Sequence, residues 1–249
     1  MDAREQVEKA REQAGAPVAK VMAHEATAAQ ADVRVWEGPS TALQIDPGCV
    51  RGPRWRADVI VSEVLDTGLI GEGCLHSMRD ATKRLLAPGG VMIPASATLY
   101  VMLLQVSAPE HAGVSLQALE ALREGYSAAR LHGLSHVKLS VGVVAMRFEF
   151  AALPEQCGGE ARIKVEASRR GACNAVGWWF DLHLDGETTL SMAPGATART
   201  WKQNLHYLPS SLEVERGAEV EVLVWNKDDD NLHVLAGAPG TLPSFANFR

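Results

Sequence analysis

Four cysteines, Cys49, Cys74, Cys157 and Cys173, stand far apart in 249 residues and form no CxxC pair. That removes the spacing on which metal ribbons and dithiol redox motifs depend; reduced thiols of an intracellular protein account for them. No apolar run approaches the roughly 18 residues that span a bilayer. The opening MDAREQVEKAREQAG is charged throughout and lacks the apolar core of a secretory signal. Basic charge is scarce as well. Twenty-four Lys and Arg against 30 Asp and Glu leave a net charge of -6, so there is no general footprint for nucleic acid or an anionic membrane. HExxH, a phosphate-binding glycine loop, internal repeats and low-complexity tracts are all missing. These absences predict a soluble protein, cytoplasmic and/or nuclear, with room for one large domain or two small ones.

What is present changes character near Pro94. Before it, helices are expected over 2–14, with Asp2 as a cap, and over 17–30, where Pro17 suits a first turn. DVRVWEG (32–38) and ADVIVSE (57–63) read as strands. The unbroken run VIV predicts burial on both faces, as in a parallel sheet. CLHSMRDATKRLL (74–86) reads as a helix with Leu75, Met78, Leu85 and Leu86 on one face. APGG (87–90) should stop it before a short strand at 91–93. Beyond Pro94, strands are expected at 98–106, 140–150, 161–169, 175–185, 187–193, 200–208 and 219–227, with a helix over 116–131. Asp185-Gly186 suits a hairpin. The result is an α+β chain of two domains, an α/β part over 1–93 and an antiparallel β part over 94–249.

Chemistry concentrates in SEVLDTGLIGEG (62–73), where Glu63 and Glu72 flank an apolar, glycine-rich loop at the end of a strand. Functional groups of open α/β sheets gather at the carboxyl ends of strands. Two carboxylates in one pocket repel unless a cation lies between them, and a guanidinium can bond both bidentately. This loop resembles the double-E loop of the protein arginine methyltransferases, whose two glutamates stand nine positions apart as Glu63 and Glu72 do. Its wording is nearest the monomethylating branch with tandem modules. VRVWEGPST (33–41), VMIPASATLYV (91–101), WWFDLHLDGETTLSMAPG (178–195) and TWKQNLHYL (200–208) resemble further segments of that family. The likeness covers roughly residues 17–226.

The resemblance implies a partial class I methyltransferase (Rossmann-like) segment followed by a β-barrel. It implies transfer of a methyl group from S-adenosylmethionine to an arginine guanidino nitrogen, with Glu63 and Glu72 catalytic. Pro39, Ser40, Thr41 and Glu63 would contact the cofactor, and Cys74, Thr200 and Trp201 would shape the substrate pocket. Implied partners are arginine-containing proteins such as histones or RNA-binding proteins, and a homodimer or a complete methyltransferase chain. Two departures stand out. The family's Thr-His-Trp loop is Arg199-Thr200-Trp201 here, so Thr200 replaces an imidazole. The GxGxG cofactor loop and the tyrosine-rich helix before it are absent, and with them the first two strands of the sheet. The strands left would carry open edges and exposed apolar faces. A catalytically dead or truncated module that binds arginine-rich partners or a complete chain is therefore the alternative function.

Simpler readings stand beside these. Glu63, Asp66 and Glu72 have the chemistry of a Mg²⁺ site but lack a phosphate loop. A glycosidase pair would normally come from separate strands. His132 and His136 read as an ordinary polar helix end, and Asp228–Asp230 as a solvated turn. Of Trp178 and Trp179, alternating along a strand, one is expected to be buried. Trp201 suits a barrel core as well as a pocket, Asp66 and Gly68 suit loop shaping, and the two glutamates themselves could be remnants of a lost activity.

Overall fold

The computed structural model describes residues 34–48, 52–107, 110–111, 114–115, 125–155, 158–197, 200–226 and 231–244. The helices expected at 2–14 and 17–30 lie outside these residues, as do Arg199 and Asp228–Asp230.

The first regular strand, β1 (Ala57–Val61), is followed by helix α1 (Cys74–Arg84) and strand β2 (Leu86–Ile93). β1 and β2 pair in parallel, as a strand–helix–strand unit must, and Ser62 N donates to the Ile93 carbonyl at 2.9 Å just past the ladder. α1 buries Cys74, Leu75, Met78 and Ala81, the stripe its periodicity prescribes. Three expectations fail here. Residues 34–37 form no strand. APGG is no stop between helix and strand; it lies inside β2, where the register slips between Ala57↔Leu86 and Val59↔Val91. Gly89 there takes φ +77°, and a Cβ on Gly90 would lie 2.9 Å from the Asp58 carbonyl oxygen, so the turn signal marks a bulge. The third failure is burial. Val59 is 52% exposed and Val61 73%, with Val91 and Trp55 also exposed. Among the described residues the parallel sheet has two strands, and these side chains stand uncovered.

The remaining strands are antiparallel. They run β3 (Ser96–Val106), β4 (Glu110–His111), β5 (Val114–Ser115), β6 (Tyr126–Ala129), β7 (His136–Lys138), β8 (Val143–Glu149), β9 (Gly159–Glu166), β10 (Gly171–His183), β11 (Thr189–Ser191), β12 (Gln203–Val214), β13 (Glu219–Asn226) and β14 (Leu232–Gly237). A seven-stranded sheet has the path β6-β12-β10-β3-β7, with β11 on β10 and β8 on β3; β14-β13-β9 form a second sheet, and β4-β5 a short ribbon. β14 lies beside β12 and β9 beside β8, so the two larger sheets face one core without a closed ladder of hydrogen bonds. The antiparallel β expectation holds, but a closed barrel is not formed among the described residues.

β3 and β10 carry the centre. They pair from Ala175↔Leu104 to His183↔Ser96 and have no exposed residue, most being buried and the rest half-buried, because both faces are covered. Trp178 and Trp179 are accordingly both buried, at 1% and 7% exposure, not one of the two. One continuous cluster of buried side chains runs from Leu65 and Ile70 through Phe180 to Val234. It joins the loop at 62–73 directly to the β-sheets. The helix expected over 116–131 is contradicted where it is described: Tyr126–Ala129 is a strand on β12, while residues 116–124 lie outside the described set. The Asp185-Gly186 hairpin forms, with Asp185 Oδ1 accepting from the Glu187 and Thr188 amides. Those bonds hold the Asp185 carboxyl below its ordinary value.

Candidate functional site

The loop between β1 and α1 is built inside out. Leu69 and Ile70 are fully buried at its tip, while Glu63 and Glu72 at its two shoulders are exposed. Burial of two large aliphatic side chains, worth about 1.5–3 kcal/mol each, pins the tip and leaves the carboxylates to solvent or ligand. Asp66 organises the bend. Its carbonyl accepts from Leu69 N at 3.0 Å and its Oδ1 from Gly71 N at 3.0 Å. A Cβ on Gly71 would sit 2.3 Å from Asp66 Oδ2, so a side chain there would break this arrangement. Leu69 takes φ +70°, a left-handed conformation costing about 1–2 kcal/mol for a non-glycine residue, offset by its full burial. Gly73, also left-handed, opens α1.

The β-sheets grip this loop through two side chains. Trp201 Nε1 donates to the Leu65 carbonyl at 3.1 Å, and its ring packs on Phe180 at 5.6 Å. Asn204, wholly buried on β12, donates through Nδ2 to the Thr67 carbonyl at 2.7 Å and accepts from the Tyr126 hydroxyl at 2.5 Å. Both carbonyls lie within the loop, between the glutamates in sequence. Sequence reasoning missed Asn204 and Tyr126; contacts spanning 137 and 78 positions leave no local signal.

The segment Pro39–Thr41 is also anchored. Ser40–Ala42 form a 3-10 turn against α1. Arg84 of α1 donates to the carbonyls of Ser40, Thr41 and Leu43, and to Asp80 Oδ1 and Oδ2 at 2.7 and 2.5 Å. The Arg84 bond holds the Asp80 carboxyl below its ordinary 3.8. A depressed carboxyl contributes fully above that value, and the contribution is lost as pH falls through the lower folded one. Arg84→Met is expected to speed proteolysis within 34–48 at neutral pH while leaving cooperative unfolding of the β-sheets unchanged; acidification below the ordinary carboxyl range should reproduce the effect in the parent chain. Equal cleavage of both proteins at neutral pH would refute the anchor.

Residues 142–236 match the family described as the arginine methyltransferase oligomerization subdomain. An arginine N(omega)-methyltransferase of Streptomyces achromogenes subsp. streptozoticus is 35% identical over 188 residues, covering 72% of this chain and 50% of that protein. Protein arginine N-methyltransferase 7 of Caenorhabditis briggsae is 28% identical over 194 residues, covering 67% and 29%. In fold, the chain is similar to the Trypanosoma brucei PRMT1 enzyme–prozyme heterotetrameric complex with AdoHcy, with TM-score 0.57 and 18% identity over 75% of this chain and 66% of that one. The chain belongs to the protein arginine methyltransferase family. It spans half the length or less of these two curated relatives.

In this family member the expected site residues are placed unevenly. Glu63 and Glu72 flank one loop, and Trp201 touches that loop. Thr200 is exposed beside Trp201. Cys74 is fully buried in α1, its Sγ 3.7 Å from Met78 Sδ, so it acts on any pocket through packing. Pro39, Ser40 and Thr41 are exposed on a turn held by α1. His132 lies in a short 3-10 turn and His136 Nδ1 pairs with the Leu134 carbonyl. No cluster of three or more metal-ligating side chains occurs among the described residues, and no described helix is long and apolar enough to cross a membrane.

Proposed function

We propose that this chain holds an acceptor arginine for N-methylation, with S-adenosylmethionine as donor. The observation that carries this is the loop itself: two exposed carboxylates nine positions apart, at the end of a parallel strand, on a backbone that Trp201 and Asn204 clamp from the β-sheets. Glu63 and Glu72 would take the guanidinium between them by charge-assisted bonds, orient one terminal nitrogen and disperse its positive charge. The donor, when bound, supplies an electrophilic methyl group. The names of the relatives support the reaction class and differ on the acceptor, arginine in the Streptomyces protein and protein arginine in the nematode one.

A second reading is a non-catalytic module that pairs with a complete methyltransferase chain. The open β1–β2 pair, with Val59, Val61 and Val91 exposed, favours it, and the trypanosome structure is an enzyme–prozyme complex. Calorimetric titration of the full chain with S-adenosylmethionine separates the two. Micromolar binding, followed by methyl transfer to an arginine acceptor, supports the enzyme. Heat-silent mixing with no transfer, in a folded sample, supports the module.

A further inference from the structure

A pocket of about 280 Å³ lies where the loop meets the β-sheets, and the guanidinium clamp does not use it. Asp66 and Gly68 of the loop form one side; Tyr126, Trp178, His206 and His233 are among the residues that form the rest. Among the described residues, three buried side-chain polar atoms lack a hydrogen-bond partner, and two of them, Trp178 Nε1 and His206 Nδ1, belong to residues of this pocket. Trp178 is 1% exposed. Its indole N–H can only donate, and a buried donor left unmade is costly. Asn204 Oδ1, on the strand paired with Trp178, receives the Tyr126 hydroxyl. Asp66 contributes the opposite character. It lines the same pocket while its Oδ1 accepts from the Gly71 amide, and its charge, after burial, helps raise the Tyr126 phenol above its ordinary value. Burial, with the charge of His233 adding to it, lowers His206 below its ordinary value, so that imidazole is neutral at pH 7.

These groups select a ligand by elimination. A simple cation would satisfy Asp66 and the aromatic faces but leave the Trp178 N–H unmade. A simple anion would satisfy Trp178, and His206 in the tautomer that carries its proton on Nδ1, but meet the Asp66 carboxylate. A group with both signs on adjacent atoms fits, and the volume lies just under the roughly 300–1,000 Å³ of sites for larger ligands. We propose that this pocket binds the zwitterionic head of a free amino acid, its α-carboxylate accepting from Trp178 and His206 and its α-ammonium facing Asp66. Resting on the acceptor-arginine reading above, this makes free L-arginine the substrate class, with its side chain directed to Glu63 and Glu72 on the same loop.

The test uses the ¹⁵N-labelled full chain and the indole N–H resonances of its six tryptophans. Trp178→Phe, which keeps an aromatic ring in the core, assigns the reporting signal by its disappearance. L-Arginine is expected to shift that signal saturably. Agmatine, which lacks the carboxylate, and Nα-acetyl-L-argininamide, which lacks both head-group charges, should bind at least about tenfold more weakly, the loss expected for a hydrogen bond to a charged group. Asp66→Asn, which retains an acceptor for the Gly71 amide, should weaken L-arginine alone. Equal binding of the capped compound, or no shift at Trp178 with L-arginine, overturns the proposal. L-Citrulline distinguishes its failure from that of the guanidinium clamp: it keeps the head group and loses the charge of the side chain. A Trp178 shift as strong with L-citrulline as with L-arginine retains the head-group site and removes the clamp; strong binding of agmatine without L-citrulline does the reverse.

Discussion

Glu72→Gln is expected to lower methyl transfer to arginine about 100- to 1,000-fold, the usual effect of removing one preorganised charge-stabilising group, while the melting temperature stays unchanged. The second half of the expectation follows from the structure. Glu72 is exposed on the shoulder of the loop, whereas the loop is held by Leu69, Ile70 and the grip of Trp201 and Asn204 on Leu65 and Thr67. Gln keeps the length and one acceptor oxygen but loses the charge that makes a bidentate guanidinium contact strong. The loss should fall on kcat more than on KM, because dispersal of positive charge matters most as the nitrogen attacks. Glu63→Gln should behave in the same way. Transfer at the parent rate by either variant, in a preparation that is active before substitution, removes the clamp from the mechanism.

How much of this was legible in the sequence depends on where each residue's constraints lie. The long apolar strands β3, β10 and β13 were legible because their burial is a property of their own composition. The double-E loop was legible as a motif, and its glycines now have reasons: Gly71 has no room for a side chain beside Asp66. The short strand at Tyr126–Ala129 was not. Its alanine-rich sequence favours a helix, and pairing with β12 overrides that propensity. Pro88-Gly89-Gly90 looked like punctuation because a bulge and a stop use the same residues. Val59 and Val61 read as doubly buried because apolarity records what a strand can be covered by, not what covers it. The grip on the loop was invisible for a different reason. Asn204 is an ordinary polar residue until Thr67 and Tyr126 are brought to it across the fold, and only the second carbonyl contact, from Trp201, had a family likeness to suggest it.

That grip ties stability to the site, and Phe180→Ala should expose the tie. Phe180 is fully buried on β10, the central strand, and its ring packs against Trp201 at 5.6 Å and 54°. Truncation of a buried Phe to Ala costs about 3–5 kcal/mol, from lost transfer energy and the cavity left behind. Of a typical total of about 5–15 kcal/mol, that is a large share, readable as a shift of the urea midpoint at unchanged slope. A second consequence is local. Without the ring beneath it, the Trp201 indole loses the surface that fixes its orientation, and its N–H bond to the Leu65 carbonyl should loosen before the sheet does. Hydrogen exchange is therefore expected to rise within residues 62–73 by more than global destabilisation explains. Trp201→Phe supplies the control: it removes the N–H donor but keeps an aromatic ring against Phe180, so it should raise exchange in the loop at a smaller cost in global stability. If the two substitutions add without coupling in a double-mutant cycle, the ring contact does not support the loop, and the core and the candidate site are independent. A coupling energy of about 0.5 kcal/mol or more would show that packing on β10 is one of the things that holds Glu63 and Glu72 in place.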